Sequence, residues 1–126
     1  MMLEKGLFFE QQKIVEVSDT AFAVGSGTLP VFATPVMITF MENTATKVIA
    51  SCLNEGETSV GTSIDVKHLK ATAVGEPVFC KATLVEVADR KLVFDIIVEN
   101  SQKEVVGTAS HTRFLVDEKR FLSKIS

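Results

Sequence analysis

Tryptophan and tyrosine are both absent from the 126 residues, which removes a phenolic acid and the usual aromatic cage for a cation from the available mechanisms. Cysteine is scarce. Cys52 and Cys80 stand far apart, with no C-x-x-C and no histidine at metal-ligand spacing, so no metal site and no disulfide framework is expected. Both are read as small buried hydrophobes of a reducing compartment. No stretch approaches the ~20 apolar residues of a membrane span, and Met1 to Phe9 is interrupted by Glu4 and Lys5, unlike a signal peptide. A soluble, cytoplasmic protein without a membrane partner is expected. Basic residues are also in deficit, 13 against 16 acidic, for a net charge of −3. Such a field repels polyanions, so nucleic acid is not an expected partner.

What is present is an ordinary globular mixture, 46% hydrophobic and 23% charged, in a length that suits one domain over residues 1–126. Short β-prone runs from Lys13 to Val17 and from Thr20 to Val24 suggest a ragged hairpin or one bulged strand. Thr34-Pro35 then reads as an N-cap and first turn, and no Gly or Pro interrupts the chain before Asn54-Glu55-Gly56. This predicts one helix of roughly five turns. Beyond Gly56 the pattern alternates with period two. Val60, Thr62, Ile64, Val66 and His68 fall on one face of a first strand, and further strands run from Val78, Leu92 and Val105, joined by turns. With no helices between them, these strands form a largely antiparallel sheet. The fold class is α+β, a sheet packed around one long helix. The charged tail from Asp117 to Ser126 is expected to be loosely held.

On a helical wheel Glu42 falls among Pro35, Ile38, Ala45, Ile49 and Leu53, a carboxylate on an apolar stripe. Val36 and Phe40 make the opposite side partly apolar too, which suggests a partner subunit over the helix. Glu42 either does chemistry or pairs with Lys47 or a strand lysine. His68 ends the inward series and could share a cleft with Glu42, dividing acid, base and orienting roles. His111, beside Ser110 and Arg113, ranks below it, because the pattern places no acid near it. Thr34 is explained as a cap. It lies eight residues from Glu42, a rise of ~12 Å, so the two could serve one small substrate only if the turn folds back or two chains build the site.

Val31-Phe32-Ala33-Thr34-Pro35-Val36-Met37, Phe40-Met41-Glu42, Ser59-Val60-Gly61-Thr62 and His68-Leu69-Lys70-Ala71-Thr72-Ala73-Val74-Gly75 together resemble the hotdog-fold acyl-CoA thioesterases, in particular the fluoroacetyl-CoA thioesterase-like branch. The resemblance spans about Val31 to Val116 with the motifs in order. It implies a hotdog fold and hydrolysis of a short acyl-CoA thioester to free acid and coenzyme A. It also implies a catalytic set that falls on Thr34, Glu42 and His68, and a backbone donor at Gly61 beside the thioester. Neither metal nor cofactor is implied, coenzyme A being part of the substrate. A homodimer with sites near the interface is implied, with a tetramer as the larger alternative. Among the charged residues, Lys67, Lys70, Lys81, Arg90, Lys91 and Arg113 are candidates for the nucleotide phosphates of coenzyme A, most of them explained equally by a solvated surface, and Arg113 is kept with Gly61 as a substrate-binding residue. No aromatic side chain occupies Gly25 to Thr28, so no lid tuned to one acyl group is expected. Two other readings stay open: a non-catalytic acyl-CoA-binding domain, and an enoyl-CoA hydratase of the same fold, for which Asp65 and His68 would point to opposite faces.

Overall fold

In the computed structural model, which describes residues 2–125, these residues form five strands, three α-helices and two single-turn 3-10 helices, at Val17–Asp19 and Ala50–Cys52. The strands and α-helices follow in the order β1 (Phe8–Ile14), α1 (Ala21–Val24), α2 (Thr34–Ile49), β2 (Glu57–His68), β3 (Pro77–Ala88), β4 (Lys91–Glu99), β5 (Val105–Asp117) and α3 (Glu118–Ser123). All strand pairs are antiparallel, in the spatial order β1-β3-β4-β5-β2. Period-two alternation buries Val78, Cys80, Ala82 and Leu84 of β3, Leu92, Phe94, Ile96 and Val98 of β4, and Ala109, His111, Arg113 and Leu115 of β5 on the face that receives α2. The helix contributes Met37, Phe40, Met41, Thr44, Ala45, Val48 and Ile49. Gly107 lets it approach: a Cβ there would lie 2.6 Å from Met37 Sδ.

Four sequence expectations are corrected. The opening strand is Phe8–Ile14, earlier than Lys13–Val17, and Thr20–Val24 is not extended. The Thr20 hydroxyl accepts a hydrogen bond from the Ala23 N–H, and Gly25 closes the turn at φ 79, so local capping outweighs β propensity in a short run. The tail gains a helical turn, because the Asp117 carboxylate accepts from Arg120 N–H; Ser126 and Met1 lie outside the described residues. The inward series on β2 is broken at Thr62, which has no partner between Gly61↔Arg113 and Ser63↔Thr112. This bulge turns Gly61 inward together with Ile64, Val66 and His68, and takes Val60, opposite Phe114, to the outer face. Finally, the buried stripe of α2 is centred on Met41, ~100° from Glu42, so Glu42 stands at the margin of the core with its side chain 41% exposed.

Candidate active site

Glu42 leans from α2 toward the inner face of β5, where Arg113 and His111 stand two residues apart. Its Oε2 lies 3.3 Å from Arg113 Nη1 and 3.8 Å from His111 Nε2. Arg113 is buried, at 7% exposure, and its guanidinium is tied down on its other side as well. Nε–H donates to Ser59 Oγ at 2.9 Å, Nη2–H to the Ser59 carbonyl at 3.0 Å, and Nη1 also faces His111 Nε2 at 3.1 Å. Burial holds the Arg113 guanidinium below its ordinary value, while Glu42 supports the cation. Of the five N–H hydrogens of an arginine, one on Nη2 is left over, so most of the donors are spent inside the protein.

Gly61 is the floor of this cluster. A Cβ at this position would sit 2.8 Å from Glu42 Oε2, 3.1 Å from His111 Cε1 and 3.2 Å from Arg113 Nη1. Any Cβ here would press on the carboxylate, the imidazole and the guanidinium together, so a larger residue would shift the cluster.

Thr34 and His68 form a second pair. The Thr34 hydroxyl lies 2.8 Å from His68 Nδ1. It caps nothing: Ala33 occupies the N-cap position, and α2 has no side-chain cap. The expectation of a capping threonine fails, because the preceding segment is already anchored by the backbone. Phe32 N–H donates to Thr72 C=O and Ala33 N–H to Asp19 C=O, each at 2.9 Å. Those bonds carry Thr34 to the end of β2, where Phe32 meets the imidazole edge-on at 6.2 Å. Burial pushes His68 below the ordinary histidine value, opposed by the backbone of Lys70. Its Nε2 is buried without a hydrogen-bond partner, a costly state that a ligand or a second chain would relieve. The pair borders a cavity of about 290 Å³ lined in part by Ala21, Val31, Phe32 and Leu69.

No hydrogen bond or ion pair links the two groups among the described residues. His68 pairs with Gly107 and Ile64 with His111, so the histidines are about four strand residues apart, ~13 Å. The sequence placed Glu42 with His68; in the folded chain its imidazole neighbour is His111. The signal for this was present in β5. Ala109, His111, Arg113 and Leu115 alternate on one face, and an inward arginine calls for a carboxylate.

Residues 15–119 match the model of FlK, the fluoroacetyl-CoA-specific thioesterase family. A fluoroacetyl-CoA thioesterase from Streptantibioticus cattleyicolor is 34% identical over 95 residues, covering 75% of this chain and 68% of that protein. This chain belongs to that family. It is therefore a thioester hydrolase, as the motifs around Thr34, Glu42 and His68 led us to expect. A structure of the fluoroacetyl-CoA thioesterase FlK superposes with a TM-score of 0.91 at 27% identity, over 98% of this chain and 95% of that one. A hot-dog-like protein from Thermanaerovibrio acidaminovorans superposes with a TM-score of 0.89 at 23% identity, over 98% and 90%, and bears on the fold alone. The hotdog fold expected from the sequence is thus the fold observed.

Among the described residues, no cluster of three or more His, Cys, Asp or Glu is placed to hold a metal ion. No helix among them is long and apolar enough to cross a membrane.

Proposed function

We propose that the chain, acting as one domain, hydrolyses short acyl-CoA thioesters with Glu42 as the reacting carboxylate, and that each site is completed by a second copy. The observation that carries this is the half-exposed carboxylate held at Oε2 by Arg113 above Gly61. With Oε2 engaged, Oε1 is the oxygen left for chemistry. It attacks the thioester carbonyl to give an anhydride that water then opens, or it draws a proton from the water that attacks. In either course the C–S bond breaks, the thiolate leaves and takes up a proton, and water supplies the oxygen of the free acid. Coenzyme A is a good leaving group, so no cofactor is required. Thr34 and His68 position and polarise the acyl end, and a backbone N–H at Gly61 steadies the oxyanion, a contact worth ~3 kcal/mol in other enzymes.

The register of β2 supports a shared site. β2 ends the sheet, and its outer edge is free to pair with a second β2. A two-fold axis at Asp65 would set Ile64 beside the partner's Val66 and, past the bulge at Thr62, Gly61 beside the partner's His68. Inward residues then face inward residues throughout, and the ~12 Å between Thr34 and Glu42 within one chain ceases to matter. Arg113 acts on Glu42 in this reading, in place of the phosphates suggested earlier. Incubation with a panel of acyl-CoAs and a thiol reagent tests the activity. Release of free thiol supports hydrolysis; binding without release, or loss of enoyl absorbance instead, overturns it.

A further inference from the structure

His111 is nearly fully buried, at 1% exposure, and each ring nitrogen faces a group of fixed hydrogen-bonding character. Nδ1 lies 2.8 Å from the Ser63 carbonyl, which only accepts, so Nδ1 carries the proton and donates. Nε2 lies 3.1 Å from Arg113 Nη1, which only donates, so Nε2 presents its lone pair. A second proton on Nε2 would aim one N–H at another inside the core. The remaining neighbours are Glu42 from α2, whose Oε2 is 3.8 Å from Nε2, and the Phe94 ring from β4 at 6.3 Å. The former is beyond direct hydrogen-bond reach and the latter is uncharged.

We infer that His111 is a positioning residue, locked as the neutral Nδ1–H tautomer, whose Nε2 lone pair aims Arg113 Nη1 and through it the Glu42 carboxylate. The two Nη1 hydrogens divide between His111 and Glu42, and Ser59 takes Nε–H and one Nη2–H. Remove the His111 acceptor and one Nη1–H is left buried without a partner, so the guanidinium tilts about its Ser59 anchors toward a substitute and shifts Oε2 with it. A misplacement of ~1 Å at a reacting group costs on the order of a hundredfold in rate. His111 takes no proton from substrate or water in this scheme.

The inference rests on the Glu42 reading for its kinetic consequence but not for its tautomer, so the test has two arms. In the first, His111→Phe, which keeps a ring without an acceptor, is compared with His111→Gln, whose carbonyl can accept from Arg113. With acetyl-CoA as probe, His111→Phe should lower kcat about tenfold or more with KM within about twofold, and His111→Gln should recover most of the loss with an unchanged pH profile. A His111→Phe enzyme of near-native kcat overturns the role. So does a His111→Gln enzyme as slow as His111→Phe, which would make the imidazole a proton carrier. In the second arm, long-range 1H–15N spectra of the native protein should show His111 as the Nδ1–H tautomer at neutral pH. An Nε2–H tautomer or an imidazolium there overturns the inference even if the phenylalanine variant fails to fold, and whether or not the protein hydrolyses acetyl-CoA.

Discussion

Arg113 is held by Ser59, His111 and Glu42, whereas only the Thr34 hydroxyl and the backbone of Lys70 bear on His68, whose Nε2 is buried with no hydrogen-bond partner among the described residues. One chain finishes the first group and leaves the second unfinished. The contrast follows from where each lies. β5, which carries Arg113 and His111, is an interior strand flanked by β4 and β2, so its inward side chains find protein around them. His68 closes β2 at the edge of the sheet, where the next surface belongs to solvent, substrate or another subunit. A carboxylate whose orientation decides the reaction benefits from the rigid setting, and a pair that must receive a substrate benefits from the open one.

The largest expected effect comes from the finished group. Glu42→Gln should lower turnover by about 10²–10⁴-fold, as for loss of a reacting carboxylate, while circular dichroism stays native and Tm falls, because the amide can still accept from Arg113 but the buried cation loses its counter-charge. Next, Gly61→Ala drives a methyl to 2.8 Å from Glu42 Oε2, and should cost about tenfold or more in kcat with a smaller loss of stability. If this variant were fully active, the carboxylate would not need the place the structure gives it. Thr34→Ala should be milder, about tenfold in kcat, with only a small fall in Tm from the lost His68 contact since no cap is lost; Thr34→Ser should restore both.

Smaller still is the pH dependence of stability. Burial lowers both His68 and His111 from the ordinary 6.5. In the window between that value and the folded one, the unfolded chain binds more protons. Their contribution is therefore full above pH 6.5 and is lost as pH falls toward the folded value. Thermal melts in acid should show Tm falling in this window, with a shallower slope in His111→Gln. The smallest effect belongs to the proposed axis. Asp65→Asn removes a like-charge pair there and should tighten self-association by about 0.2–1 kcal/mol in sedimentation equilibrium.

Much of this molecule is legible in the chain. Unbroken helical residues after Pro35, period-two runs beyond Gly56 and turns between them specify one long helix against an antiparallel sheet. What is not legible turns on single residues. An unpaired Thr62 leaves no mark in composition, yet it reverses the facing of Val60 and Gly61 relative to a regular strand. The four-residue helix at Ala21–Val24 is too short to show a period. Thr34 sits in good cap chemistry, but its hydroxyl goes to an imidazole 34 residues away, a contact that local rules cannot see. The same limit paired Glu42 with His68, because which inward histidine meets the helix margin depends on strand order.

In the proposed enzyme, one working site draws on two chains. Glu42→Gln and His68→Ala proteins, each inactive alone, should regain activity when unfolded and refolded together. Half the dimers are then mixed and each mixed dimer has one intact site, for about a quarter of the native rate. A refolded mixture no more active than its components would show that Glu42 and His68 serve the substrate from the same chain, or not together at all.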